Sequence, residues 1–217
     1  MSVIVRYLGT QDYLSVWQRM QAFNAARDAS SADEIWLLQH PPVFTLGLNG
    51  KREHILDAGN IPVIETDRGG QVTYHGPGQL IAYVLLDVRR NKLGIRQMVT
   101  ALEQAVIEVL AADGVQASAK KQAPGVYVNE HKIASLGLRV KQGGTYHGLS
   151  LNVDMDLSPF QRINPCGYPG LQLLNMADLG LRYTVEQVAE RLLQALCQQF
   201  EIENISKVYE AESRTDS

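Results

Sequence analysis

A chain of 217 residues, 45% hydrophobic and 20% charged, can bury a real core and has the composition of a globular protein. Its formal net charge of -3 supplies no global basic field, which argues against nucleic acid held by overall charge. Two cysteines, Cys166 and Cys197, make neither a disulfide framework nor a CxxC metal pair. No apolar run reaches the roughly 18 residues of a membrane helix, and the N-terminus lacks signal-peptide features, so a reducing cytoplasmic setting is expected.

In chain order, residues 3–8 read as a short strand. Leu14, Trp17 and Phe23 recur at helical spacing and predict a helix from Asp12 to about Asp28. Residues 34–39 look like a buried strand, stopped by His40-Pro41-Pro42, and 43–47 like another short one. Residues 51–60 are polar and aperiodic, and strand character resumes at 61–66. The stretch 68–79 holds four glycines and a proline, which deny it a regular helix. It runs straight into the near-continuous apolar run 80–88, typical of a central strand, so the glycines sit beside a sheet core. Ile95, Val99, Leu102, Val106 and Val109 predict a helix over 95–112, with Gly114 as terminator. Residues 125–129, 132–140 and 145–155 read as three antiparallel strands with turns at 129–131 and 142–144. Thr184 and Gln187 have capping-box spacing at the start of a helix over 184–200. Val185, Val188, Leu192 and Leu196 make its buried stripe, with Cys197 beside it as a packing residue.

These elements predict an α+β fold, a mixed, largely antiparallel sheet with packed helices. Residues 1–206 are expected to form a single domain and 207–217 a polar, flexible tail.

Candidate chemistry centres on Ile163-Asn164-Pro165-Cys166-Gly167-Tyr168-Pro169-Gly170, where prolines and glycines hold a thiol on a tight loop. Two strands contain polar residues at apolar phases. Lys132 alternates with Ala134, Leu136, Leu138 and Val140, and His147 with Leu149, Leu151, Val153 and Met155. A buried lysine needs a counter-charge, and a thiol nearby would supply one; otherwise its stem reaches solvent. His147 reads equally as a hydrogen-bonded core residue, and His75 as a stabiliser of its loop. A zinc site built from Cys166, His75 and His147 matches no standard spacing. Residues 68–79 are not a phosphate loop, because no GK[ST] follows and a strand rather than a helix comes next. What the glycines offer is close approach of backbone to an extended acyl group or thioester.

Four blocks, RGGQVTYHGPGQL (68–80), KIASLGLRV (132–140), HGLSLNVD (147–154) and INPCGYPG (163–170), occur in this order, and HPPVFTLG (40–47) fits with them. Together they make the chain resemble the octanoyltransferase family, also called lipoate–protein ligase B, from about residue 35 to 180. The resemblance implies the fold of the catalytic domain of biotin and lipoate protein ligases. It implies transfer of an octanoyl or lipoyl group from acyl carrier protein to a lysine of lipoyl domains of 2-oxoacid dehydrogenase complexes and of glycine-cleavage H protein. That reaction is the first step of endogenous protein lipoylation. Within the motifs Cys166 matches the acyl-thioester nucleophile and Lys132 its activating partner. Arg68, Gly69, Gly70, Gln71, Val72, Thr73, Tyr74, His75, Ser135, Leu136, Gly137, Gly148, Leu149 and Ser150 match substrate-binding segments.

As chemistry, the donor thioester arrives activated, so no ATP, cofactor or metal is expected. Lys132 acts either as an ammonium beside a thiolate or as a neutral base, and such a pair titrates jointly. Backbone N–H groups near Cys166 and the Gly-rich loop are oxyanion-hole candidates. His75 and His147 are candidates for positioning, and the Leu136, Leu138 and Leu149 faces for an acyl slot. The acidic carrier protein is expected to meet either Arg139 with Lys141 or Lys120 with Lys121. The rival readings are an ATP-dependent ligase, which would need an adenylate site, a cysteine thioesterase, and a non-catalytic acyl-binding module.

Overall fold

The computed structural model describes residues 1–210. Eleven strands and three helices are formed among them: β1 (Ser2–Thr10), α1 (Tyr13–Ala26), β2 (Asp33–Gln39), β3 (Val43–Leu46), β4 (Val63–Glu65), β5 (Val72–His75), β6 (Gln79–Leu85), α2 (Ile95–Ala111), β7 (Ser118–Ala119), β8 (Gly125–Val128), β9 (His131–Lys141), β10 (Gly144–Asn152), α3 (Val185–Gln199) and β11 (Asn204–Tyr209). Eight strands make one sheet in the order β11-β1-β2-β6-β10-β9-β8-β7, and β4-β3-β5 make a second, smaller one. In the large sheet β1 runs parallel to β2 and β11, and every other neighbouring pair is antiparallel. The mixed, largely antiparallel α+β architecture is as expected.

The centre of the large sheet is apolar on both faces because each is covered there. Leu80, Ala82 and Val84 of β6 face α2 and α3, packing with Leu102, Val106, Leu192 and Leu196. Ile81, Tyr83 and Leu85 alternate onto the other face, against Val16 and Met20 of α1. Double burial is why 80–88 reads as one continuous run. The third core, with Phe44, Leu46, Val72, Tyr74 and Phe160, belongs to the small sheet.

Asp12 caps α1 by accepting from Ser15 N, but the buried stripe is Tyr13, Val16, Met20 and Asn24 rather than Leu14, Trp17 and Phe23. Leu14 is exposed, whereas Trp17 and Phe23 lie half-buried at the edge of the core. In α2 Leu102, Val106 and Val109 are buried as expected, whereas Ile95 is exposed at the first turn. The capping box of α3 is formed by Thr184 and Gln187. Both strand turns use left-handed residues, Asn129 and Glu130, then Gln142 and Gly143.

One boundary is corrected. Residues 207–209, expected to belong to a flexible tail, are strand instead: β11 runs through Tyr209 and pairs in parallel with β1. Tyr209 stacks on Tyr7, and Lys207 pairs with Glu190 of α3. The polar sequence misled because β11 is an edge strand whose side chains are mostly exposed. Residues 211–217 of that expected tail lie outside the described residues.

Candidate active site

A cavity takes its walls from both sheets. Ile81 and Tyr83 of β6, Ser135, Leu136 and Gly137 of β9, and His147, Gly148, Leu149 and Ser150 of β10 form one side. Arg68 and the segment leading into β5 form the other. Tyr13 and Cys166 complete the lining. The two sheets approach closely at one place, where Gly69 N donates to Leu138 O at 3.1 Å. A Cβ on Gly137 would lie 3.0 Å from Gly69 O, so a side chain there would press against this close approach.

Cys166 has φ 56°, a left-handed conformation that a non-glycine residue adopts at some cost. The loop is tied down on both sides of it. Asn164 N donates to His54 O at 2.8 Å, Ile163 pairs with Ile55, and Gly167 N closes on Asn164 O. The thiol is half-buried and free. Lys132 Nζ lies 3.1 Å from its sulfur and donates to Pro124 O at 2.9 Å. The lysine is 1% exposed and its Nζ sits over the Tyr127 ring. Arg68 adds a second cation whose charge reaches Cys166. Burial is the main cause that pushes the Tyr127 hydroxyl up to about 12.

The route by which Lys132 reaches Cys166 differs from the strand-phase reading. The β8–β9 register shifts between Val126 and Tyr127, so Tyr127 pairs with Lys132 while Val126 pairs with Ala134. Ile133 is the extra residue of a bulge, and both Ile133 and Ala134 enter the helix-side core. Lys132 therefore shares the Tyr127 face, opposite Ala134. His147 is corrected similarly. Its φ of 62° breaks the alternation, so its ring meets Tyr83 and Asp67 instead of following Leu149 and Leu151 into the helix-side core.

Three buried histidines stand in and behind the cavity wall, with Asp67 and Arg68 as the charged groups among them. His40 bridges Gln11 O and the Tyr83 hydroxyl, and burial lowers its pKa to about 4. His75 meets Gln79 Oε1 at 2.8 Å and is lowered to about 3, by burial first and then by His40. His147 is lowered by burial despite its contact with Asp67. Asp67 is held well below the usual carboxylate range by His147, Tyr146 and Trp17, which outweigh its burial. Arg68 spends its guanidinium on Thr45 O, Thr45 Oγ1, Gly69 O and Gln71 O, so it shapes the loop as well as lining the cavity. Among the described residues no three His, Cys, Asp or Glu side chains converge as metal ligands.

Most of the sequence-derived set meets here: Arg68, Gly70, Gln71, Val72, Thr73, His75, Ser135, Leu136, Gly137, His147, Gly148, Leu149, Ser150 and Cys166 all line the cavity. Lys132 and Gly69 line an adjoining cavity that also reaches Cys166, and Leu138 opens onto that one rather than onto the first. Tyr74 points away, packed between Phe44 and Phe160 in the small-sheet core. Sequence reading passed over Tyr13, Ile81 and Tyr83. The spacing of Tyr13, Val16 and Met20 was the signal for the first; the other two lay hidden within a run apolar on both faces.

A half-buried thiol against a buried lysine, between two adjoining cavities on a sheet of this order, fits a lipoyl-ligase type of catalytic domain. Residues 12–197 match the family model of the lipoyl protein ligase A/B catalytic domain. The octanoyltransferase of Shewanella sediminis is 57% identical over 201 residues, covering 93% of this chain and 92% of that protein. The chain belongs to the octanoyltransferase family. Its fold is shared with the bipartite lipoate protein ligase of Thermoplasma acidophilum (TM-score 0.76, 16% identity, 98% of this chain and 88% of that one). It is shared more distantly with the biotin protein ligase of Aquifex aeolicus (TM-score 0.58, 13% identity, 91% and 70%).

Proposed function

We propose that this octanoyltransferase moves an octanoyl group from an acyl-carrier-protein thioester to a lysine of a lipoyl-accepting domain, with Cys166 carrying the acyl group between them. The observation that supports this best is the 3.1 Å contact between Lys132 Nζ and Cys166 Sγ at the cavity lining. The Cys166 thiolate attacks the donor carbonyl, a new C–S bond forms, and the carrier thiolate leaves and takes up a proton. One thioester replaces another, so the step needs no external energy source. The acceptor lysine then attacks as a neutral amine and loses a proton as the amide forms, and Cys166 leaves as thiolate. Lys132 is placed to stabilise the thiolate in both halves and to relay the proton. Neutral His75 and His147 add no charge of their own to the cavity lining against an alkyl chain.

The acceptors we infer are lipoyl domains of 2-oxoacid dehydrogenase complexes and glycine-cleavage H protein. The donor is proposed to approach along the cavity that contains Lys132, Leu138 and Cys166. That cavity shares Gln122, Ala123 and Tyr168 with an outer groove rimmed by Lys120 and Lys121. Lys121 is exposed, and Lys120 is paired with Glu130. Arg139 and Lys141 line neither cavity, which favours the Lys120–Lys121 side for an acidic carrier. We place the reaction in the cytoplasm, where a reducing pool keeps Cys166 a free thiol, and assign it to one catalytic domain that includes β11. Among the described residues no helix is long and apolar enough to cross a membrane.

Intact-mass analysis after mixing with octanoyl-carrier protein is the test. Wild-type protein is expected to gain one octanoyl group and C166S none. An octanoyl group retained by C166S and mapped to another residue overturns the assignment.

A further inference from the structure

Glu103 lies in the middle of α2 and is 9% exposed, among Leu102, Ala105 and Val106 on a helix face turned toward the core. A carboxylate in such a place costs stability unless something holds it. Its Oε1 accepts from Gly125 N at 2.9 Å. The carbonyl of the same peptide unit, Pro124 O, accepts from Lys132 Nζ at 2.9 Å, and Lys132 Nζ in turn faces Cys166 Sγ at 3.1 Å. The peptide is trans, so its N–H and C=O point in opposite directions and link the carboxylate to the ammonium in series.

Gly125 is fitted to this arrangement. It has φ 144°, and a Cβ there would lie 2.4 Å from Lys132 Cε. The other groups around the relay are Tyr127, whose ring lies under both Lys132 and Lys120, and Arg68, which faces Cys166. Burial raises the Glu103 pKa, and Gly125 N–H and the charge of Lys132 oppose that rise.

We propose that Glu103 is a positioning residue which, through the Pro124–Gly125 peptide, holds Lys132 as an ammonium against the Cys166 thiolate. The inference rests on the Cys166–Lys132 pair proposed above. Within that pair one proton is shared between sulfur and nitrogen. It resides either on Sγ, leaving a neutral amine, or on Nζ, leaving a thiolate. The carboxylate stands in series behind nitrogen, one link further from sulfur, so its charge favours the ion pair. Hydrogen bonds in such a chain polarise one another, which strengthens the bias.

Glu103→Gln keeps an oxygen for Gly125 N–H and removes the charge. We expect its rate of acyl-enzyme formation to fall about three- to tenfold with KM for the donor unchanged, and its neutral-pH plateau for iodoacetamide alkylation of Cys166 to fall by a similar factor. A wild-type plateau in E103Q overturns the proposal. A reciprocal measurement decides the matter if E103Q does not fold: the carbon-13 carboxyl titration of Glu103, compared in wild type and K132M. Its midpoint is expected to rise in K132M, and an unchanged midpoint overturns the proposal. K132A separates the two levels. If K132A leaves alkylation unchanged, the Cys166–Lys132 pair fails and this inference with it; if K132A slows alkylation and E103Q does not, Glu103 alone is overturned.

Discussion

At the scale of single residues, the site sets a buried lysine and an arginine beside one sulfur atom and neutral imidazoles further away. Lys132 Nζ lies 3.1 Å from Cys166 Sγ and the Arg68 guanidinium lines the same cavity, while His40 and His75 are held uncharged by burial. The histidines tie stability to pH. Their folded pKa values, about 4 and about 3, lie below the roughly 6.5 of an unfolded chain. Between those limits the unfolded chain binds protons that the folded protein does not, so their contribution is complete above about 6.5 and is lost as pH falls. Each histidine is expected to remove about 1.5 kcal/mol of stability between pH 6.5 and 5. Denaturant titrations at the two pH values check this, and H40N should flatten the dependence. Cys166 and Lys132 were legible as residues, because a thiol between prolines and a lysine within an apolar strand are both unusual. Tyr13 and Tyr83 were not, because aromatic side chains in a helix start and a central strand look like ordinary core.

At the scale of elements, β9 and its bulge decide the geometry. Strand alternation placed Lys132 with Ala134, but one extra residue at Ile133 moves it to the opposite face. The pattern of apolar residues does not reveal this, because Ile133 and Ala134 are both apolar and either register keeps the core filled. The partner strand is built to match. G125A would set a methyl group against Lys132 Cε in a backbone conformation that disfavours side chains. It is expected to cost about 1–3 kcal/mol in stability and to lower the rate of Cys166 acylation at least tenfold. Stopped-flow acylation with a thermal melt checks both, and wild-type acylation in a folded G125A would show that Lys132 tolerates displacement. The strands, helices and capping box were largely readable from periodicity. The exceptions were β5, masked by surrounding glycines, the two-residue β7, and β11, whose exposed residues carry no apolar alternation.

At the scale of the whole molecule, the two sheets create the site by meeting over it, and the groove rimmed by Lys120 and Lys121 gives it a charged approach. Rim charges act mainly on encounter. K121E is therefore expected to raise KM for octanoyl-carrier protein about three- to tenfold at low salt, with kcat unchanged and the difference shrinking as salt is added. A small octanoyl thioester without a carrier should show no change; an equal loss with both donors would place Lys121 in the chemistry instead. The sequence by itself determined the fold class, most of the elements and the family, since these rest on periodicity, turn chemistry and motifs that are local in the chain. Only the tertiary structure decided which side of β9 Lys132 occupies, that Tyr74 turns away from the cavity, and that Glu103 stands behind the lysine. Each of these depends on register or on contacts between distant segments. The Glu103 relay joins α2, the start of β8, β9 and the Cys166 loop, and no local pattern in the chain encodes that meeting.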